Sequence, residues 1–124
     1  MSMTNRFGRY KGMLKNRGAE QTAASVDTNH ATLTGIPGGP FAVFAEIMSK
    51  ETVTVPMEWE LQVTDSGDVD QAGESVSFTV PNGGGEFDFP CIIVPDQGKV
   101  HIFNREALSA GVKTRVTLSL FRLG

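Results

Sequence analysis

An antiparallel β-sandwich or barrel of about seven to eight strands, carrying an extended N-terminal arm, is the fold this sequence predicts. Three observations carry the prediction. Short apolar runs with period-two alternation recur at intervals of about ten residues, the spacing of sandwiches and barrels. Fourteen Gly and six Pro fall between those runs, where turns belong. No strand–helix–strand spacing occurs, so the sheets are expected to be antiparallel. The 124 residues are 40% hydrophobic and 20% charged, a soluble globular composition of one-domain length.

The first eighteen residues form the arm. Met1 to Gly18 hold five basic residues (Arg6, Arg9, Lys11, Lys15 and Arg17) and no acid. Residues 19–124 hold six basic residues and all fourteen acids, a net of −8 against +5 for the arm. Met3, Phe7, Tyr10 and Leu14 fall at i, i+4, i+7 and i+11, one face of a helix. Gly8 and Gly12 weaken such a helix. The segment is therefore expected to be flexible or extended alone and ordered by a partner. Its Arg-rich, acid-free character partly matches an organellar transit peptide, but the two glycines and scarce Ser do not fit one. No continuous apolar stretch marks a secretory signal or a membrane-spanning helix.

Residues 19–34 are small and polar and read as a linker or edge strand, with a strand signal from His30 to Thr34. Residues 35–124 make up the β-domain. Gly35-Ile36-Pro37-Gly38-Gly39-Pro40 is a turn. Phe41 to Met48 is apolar nearly throughout and suits a buried strand, although Ala45 to Met48 could also start a helix. Thr52 to Val55, all β-branched, favour a strand, and Pro56 marks its edge or a break.

Met57 to Thr64 alternate most cleanly: Met57, Trp59, Leu61 and Val63 against Glu58, Glu60, Gln62 and Thr64. Trp59 is the largest burial candidate. Asp65 to Ser75 form an acidic loop, and Val76 to Val80 alternate again. Pro81 to Gly85 are a flexible turn. Phe87, Phe89, Cys91 and Ile93 then share one face, and Pro90 predicts an edge or bent strand. Pro95 to Gly98 resemble a hairpin turn. Lys99 to Asn104 return with Val100 and Ile102 on one face. Asn104 to Gly111 form the one plausible short helix of the body, capped by Asn104. Val112 to Leu123 close the chain as a strand with Val112, Thr114, Val116, Leu118 and Leu120 on one side.

No constellation in the body points to chemistry. Cys91 is a single cysteine, which excludes an intrachain disulfide framework and a multi-cysteine zinc site. Within PCIIV it is expected to be a small buried core residue. Asp65, Asp68, Asp70 and Glu74 lack the spacing and closing Glu of an EF-hand loop, so a solvated acidic turn is expected. Asn82-Gly83-Gly84-Gly85 is followed by Glu86 and Asp88, which repel phosphate. His30 and His101 stand in no metal-spaced pair, and no G-x-S-x-G turn accompanies them. Glu58 and Glu60 share a strand face and read as a solubilising stripe rather than a glycosidase pair. No cofactor, metal site or catalytic residue is expected.

The plan of an acidic β-body at 19–124 behind a basic, amphipathic arm at 1–18 resembles small structural proteins of virions, notably tailed-phage capsid decoration (cement) and minor capsid proteins. The resemblance implies a non-enzymatic chain in the virion, assembled in the host cytoplasm, that self-associates as a homo-oligomer. It would clamp a major capsid or other virion protein through Met3, Arg6, Phe7, Arg9, Tyr10, Lys11, Leu14, Lys15 and Arg17. A tethered arm adds effective concentration to a weak body contact. Two other classes fit parts of the sequence. The arm's interleaved cations and aromatics suit nucleic acid, and a β-sandwich can serve as a carbohydrate- or ligand-binding module. No membrane partner is expected.

Overall fold

The computed structural model describes residues 11–21, 26–49, 57–71, 73–81, 83–107 and 113–122. They form eight strands: β1 (Lys11–Arg17), β2 (Asn29–Ile36), β3 (Gly39–Ser49), β4 (Met57–Thr64), β5 (Val76–Val80), β6 (Gly84–Val94), β7 (Gly98–Asn104) and β8 (Thr114–Arg122). Two four-stranded sheets result, in the orders β1-β8-β3-β6 and β2-β7-β4-β5. Every pairing is antiparallel. The predicted all-β sandwich is therefore the observed architecture.

The pairings β1 with β8, β2 with β7, β3 with β6 and β4 with β5 are nested. The chain is one long hairpin, its tip between β4 and β5, rolled so that successive strand pairs alternate between sheets. That arrangement is the double-sheet jelly roll. The acidic loop 65–75 is the tip. Elsewhere consecutive strands lie in different sheets. Pro95 to Gly98 therefore make a tight turn, with Gly98 N donating to Pro95 O at 2.8 Å, but the turn carries the chain from one sheet to the other rather than closing a hairpin.

Alternation builds the core. Trp59, Leu61 and Val63 of β4, Val100 and Ile102 of β7, Phe41, Val43, Ala45 and Ile47 of β3, and Val116, Leu118 and Leu120 of β8 are all buried between the sheets. Phe78 packs edge-on to Phe89, with ring centroids 5.2 Å apart, and against Phe87 at 5.0 Å.

The strand expected over Phe41 to Met48 is β3, and the alternative of a helix starting at Ala45 falls away. Three expectations change. Asn104 is the last residue of β7, buried, and caps no helix; residues 108–111 of the expected helix lie outside the described residues, as do Thr52 to Val55. Cys91 is exposed, not core. The reason is a β-bulge. Phe41 pairs with Ile92 and Val43 with Phe89, so Pro90 and Cys91 together oppose Ala42. The extra residue flips the alternation: Phe89 is buried before the bulge, and Ile92 and Val94 after it. Cys91 and Ile93 consequently point to solvent. Last, Leu14 sits in a strand, so the helical spacing that joined it to Met3, Phe7 and Tyr10 does not govern it.

Candidate interaction surface

The second half of the expected arm is part of the sandwich. β1 pairs with β8 from Lys11 opposite Arg122 to Arg17 opposite Thr117, with a bulge between Gly12 and Leu14. Leu14 packs against the core. Asn16 reaches the other sheet, its Oδ1 accepting from Thr32 N at 3.2 Å. Gly18 N donates to Val116 O at 2.9 Å and extends the contact. Lys15 and Arg17 are exposed and point outward. Met3, Arg6, Phe7, Arg9 and Tyr10 lie outside the described residues; so does the side chain of Lys11. Of the nine expected arm residues, the structure thus places Lys11, Leu14, Lys15 and Arg17 in one edge strand, and residues 1–10 join the body there.

The outer face of the first sheet is laid out in rows by the register. One row runs Lys15, Ser119, Phe44, Asp88, and the next runs Arg17, Thr117, Glu46, Glu86. A third contains Gly12, Phe121, Ala42 and the Pro90–Cys91 bulge. Met48 and Ile93 on this face are 49% and 46% exposed. Sequence reading missed these residues because only the register assembles strands distant in the chain into one surface.

The outer face of the second sheet is polar. Thr32, His101 and Gln62 form a row across β2, β7 and β4. His101 Nδ1 lies 3.2 Å from Thr32 Oγ1 and Nε2 lies 3.0 Å from Thr64 Oγ1. The acidic loop folds over this row. Asp65 Oδ1 accepts from Gly67 N at 2.8 Å and from Val69 N at 2.9 Å, and Lys99 Nζ donates to Asp68 at 2.9 Å. Lys99, by hydrogen bond and by charge, holds the Asp68 carboxyl below its ordinary range. Burial lowers the His101 pKa, against the opposing pull of Asp68.

His30 lies inside the sandwich instead. The β2 register shift between Asn29 and Ala31 turns it inward, where its ring centroid is 4.7 Å from that of Trp59. Asn104 Nδ2 donates to Glu106 O at 2.8 Å, which orients its Oδ1 toward His30 Nε2, 2.8 Å away. Nε2 therefore carries the proton. His30 Nδ1 and Thr114 Oγ1 are buried without a hydrogen-bond partner among the described residues. Burial depresses the His30 pKa, and the Asn104 hydrogen bond only partly offsets it. The two histidines thus occupy opposite sides of one sheet. No group of three or more His, Cys, Asp or Glu side chains among the described residues is arranged to hold a metal ion.

No family model matches the chain, and no curated protein matches it. Solved structures do. Over all of this chain, a chain in the structure of deformed wing virus carrying the GFP gene is similar at TM-score 0.54 and 7% identity. This chain spans 46% of that one. BiXyn10A CBM1, in its apo form, is similar at TM-score 0.50 and 11% identity, over 91% of this chain and 92% of that one. The enzymatically active domain of tailspike protein 4 of bacteriophage CBA120 aligns at TM-score 0.47 and 16% identity, over 86% of this chain and 19% of that one. At these identities the likeness is one of fold: a jelly roll that a virus structure also contains.

Proposed function

We propose that the chain is a non-enzymatic structural protein of a virion, a capsid decoration or minor capsid protein. It attaches to a major capsid or other virion protein through its N-terminal segment and associates with itself. The observation that carries this reading is the junction at β1. A basic segment with regular apolar residues enters the sandwich through an edge strand, so residues 1–10 are tethered directly beside the β1–β8 edge. The jelly-roll order supports it, because viral capsid domains are a principal use of that fold.

A carbohydrate-binding reading draws on the same fold, which lectin domains share. The side chains favour it less. Trp59 is 2% exposed, and no Tyr lies among the described residues. A glycan array with specific binding would restore that reading.

The test is incorporation. Particles from the source are purified and probed for this chain by quantitative mass spectrometry, for the full chain and for a variant lacking residues 1–10. Stoichiometric incorporation of the first and loss of the second are expected. Absence of the full chain from particles overturns the virion assignment. Equal incorporation of both overturns the role of the arm.

A further inference from the structure

We propose that acid opens this sandwich locally, at the seam where the N-terminal strand meets β2, and that the buried His30 is the trigger. The device goes beyond the functional reading and does not depend on which partner the arm meets.

The seam is closed by a single strand. β1 lies at the edge of one sheet and β2 at the edge of the other. Asn16 Oδ1 accepts from Thr32 N at 3.2 Å across the gap. Gly18 rides on the backbone of His30, so closely that a Cβ on Gly18 would collide with His30 O. Beyond β1 the chain stays clipped to β8, through Gly18 N to Val116 O at 2.9 Å and the paired bonds between Gln21 and Thr114, each 2.8 Å. Lys11 to Gln21 therefore cover His30 as a one-strand lid. A strand bonded along one side opens before the core does.

Beneath that lid the hydrogen bonding suits one state of His30 and not the other. The neutral ring donates from Nε2 to Asn104 Oδ1 at 2.8 Å. Its Nδ1 is buried without a hydrogen-bond partner among the described residues, as is Thr114 Oγ1 on the strand that holds Gln21. A second proton, at Nδ1, creates a charged N–H that the closed site leaves unpaired, and a buried unpaired charge is strongly unfavourable.

The charges nearby do not relieve it. The ring's partners, Trp59 of β4 and Asn104 of β7, are neutral. Asp27 and Glu60 are engaged with Arg105. Glu58 and His101 stand on the outward sides of β4 and β7, and Arg115 on the outward side of β8. Arg17, Glu106 and Lys113 are exposed and Glu20 partly so. Burial and the Asn104 hydrogen bond are what shift the His30 pKa.

Lifting Gly18 off His30 admits water to the ring. The open form then titrates near the ordinary histidine value of 6.5, while the closed form resists the proton. If the closed form stays neutral, the opening constant rises about tenfold between pH 7.5 and 5.5. Opening frees β1 together with residues 1–10 and uncovers the edge of β8, where an extended segment could pair. A short tether thus becomes a longer one in acid.

Hydrogen–deuterium exchange of the full chain, read by mass spectrometry at pH 7.5 and 5.5 and corrected for the intrinsic pH dependence of amide exchange, tests this. Peptides from residues 11–21 should lose protection by up to about tenfold in acid, while those from β3, β4 and β6 keep theirs. His30→Gln should abolish the difference. Gly18→Ala should open the same segment already at pH 7.5. Protection that falls equally in every strand is global unfolding and overturns the proposal. So does unchanged protection of 11–21 in acid, a response retained in His30→Gln, or a Gly18→Ala lid as protected as wild type. The strand-by-strand comparison in the wild type decides alone if a variant does not fold.

Discussion

Acidification should destabilise this protein well above the range where carboxylates titrate, and His30 is the reason. Its Nε2–H is committed to Asn104, and its bare Nδ1 is buried without a hydrogen-bond partner among the described residues. Protonation places an unpaired charge beside Trp59 in the core, which is why burial depresses the folded pKa below 6.5. The sign follows by linkage. Below pH 6.5 the unfolded chain binds a proton that the folded chain resists, so stability is full above 6.5 and declines as pH falls toward the folded value. A histidine that stays neutral while folded loses about 1.4 kcal/mol between pH 8 and 5.5. That is an upper bound, since His30 protonates in the folded state once its own pKa is reached. His101 shifts in the same direction, because burial outweighs the opposing charge of Asp68. The Asp68 carboxyl, lowered by Lys99, loses its stabilising effect only as pH falls below the ordinary carboxylate range, outside this window. Urea unfolding followed by Trp59 fluorescence, in steps from pH 8 to 5.5, measures the slope. His30→Gln should flatten most of it. A wild-type stability that is constant across the window, or an unchanged slope in His30→Gln, would refute the reasoning.

Trp59→Ala should cost about 3–5 kcal/mol, the usual effect of truncating a buried aromatic; urea unfolding followed by circular dichroism reads it. Cys91 should react with Ellman's reagent in the folded protein at a rate close to that in urea, because it is exposed; a protected thiol would place it back in the core. Asp65→Ala should lose about 1–3 kcal/mol, since two backbone N–H groups lose a charged acceptor, measured as a lower thermal midpoint. Removing residues 1–10 should leave the cooperative unfolding transition intact, whereas removing 1–18 deletes β1, uncovers the edge of β8 and should lower the midpoint sharply.

Where burial follows a two-residue period, the sequence is a sufficient guide. Met57 to Thr64 and Thr114 to Leu120 announce their inward faces because each packs one side against the other sheet and turns one to solvent. The failures fall where the period breaks. The bulge at Pro90–Cys91 reverses the faces of PCIIV, and Pro90 gives the one local sign that the strand bends. His30 is turned inward by a register shift that its surroundings in sequence do not mark. The arm misled for a different reason. An edge strand is rich in charge and poor in continuous apolar residues, because Lys and Arg on an edge discourage unwanted pairing. Lys11 to Arg17 therefore look like a solvated tail, although they pair with β8 on both sides of the bulge between Gly12 and Leu14. The candidate surface was illegible throughout, since Lys15, Ser119, Phe44 and Asp88 become neighbours only through the strand order.

The placement of β1 also yields a prediction that separates protein from nucleic acid as the partner proposed for the arm. Five cations on a free tail would form a modest phosphate-binding segment. Two of them, Lys15 and Arg17, instead stand on a sheet face whose opposite edge carries Glu86 and Asp88, so a phosphate backbone approaching them meets like charge. Arg6 and Arg9 are the cations that precede the sheet. Counterion release scales with the number of phosphates neutralised, a slope of about −0.7 per contact on single strands and −0.9 on duplex. Two or three contacts give a slope of about −2 to −3 and an affinity that disappears near physiological salt. A filter-binding titration with random-sequence DNA from 50 to 200 mM salt measures it. A slope near −4.5 on duplex, the value for five contacts, would return Lys15 and Arg17 to nucleic acid.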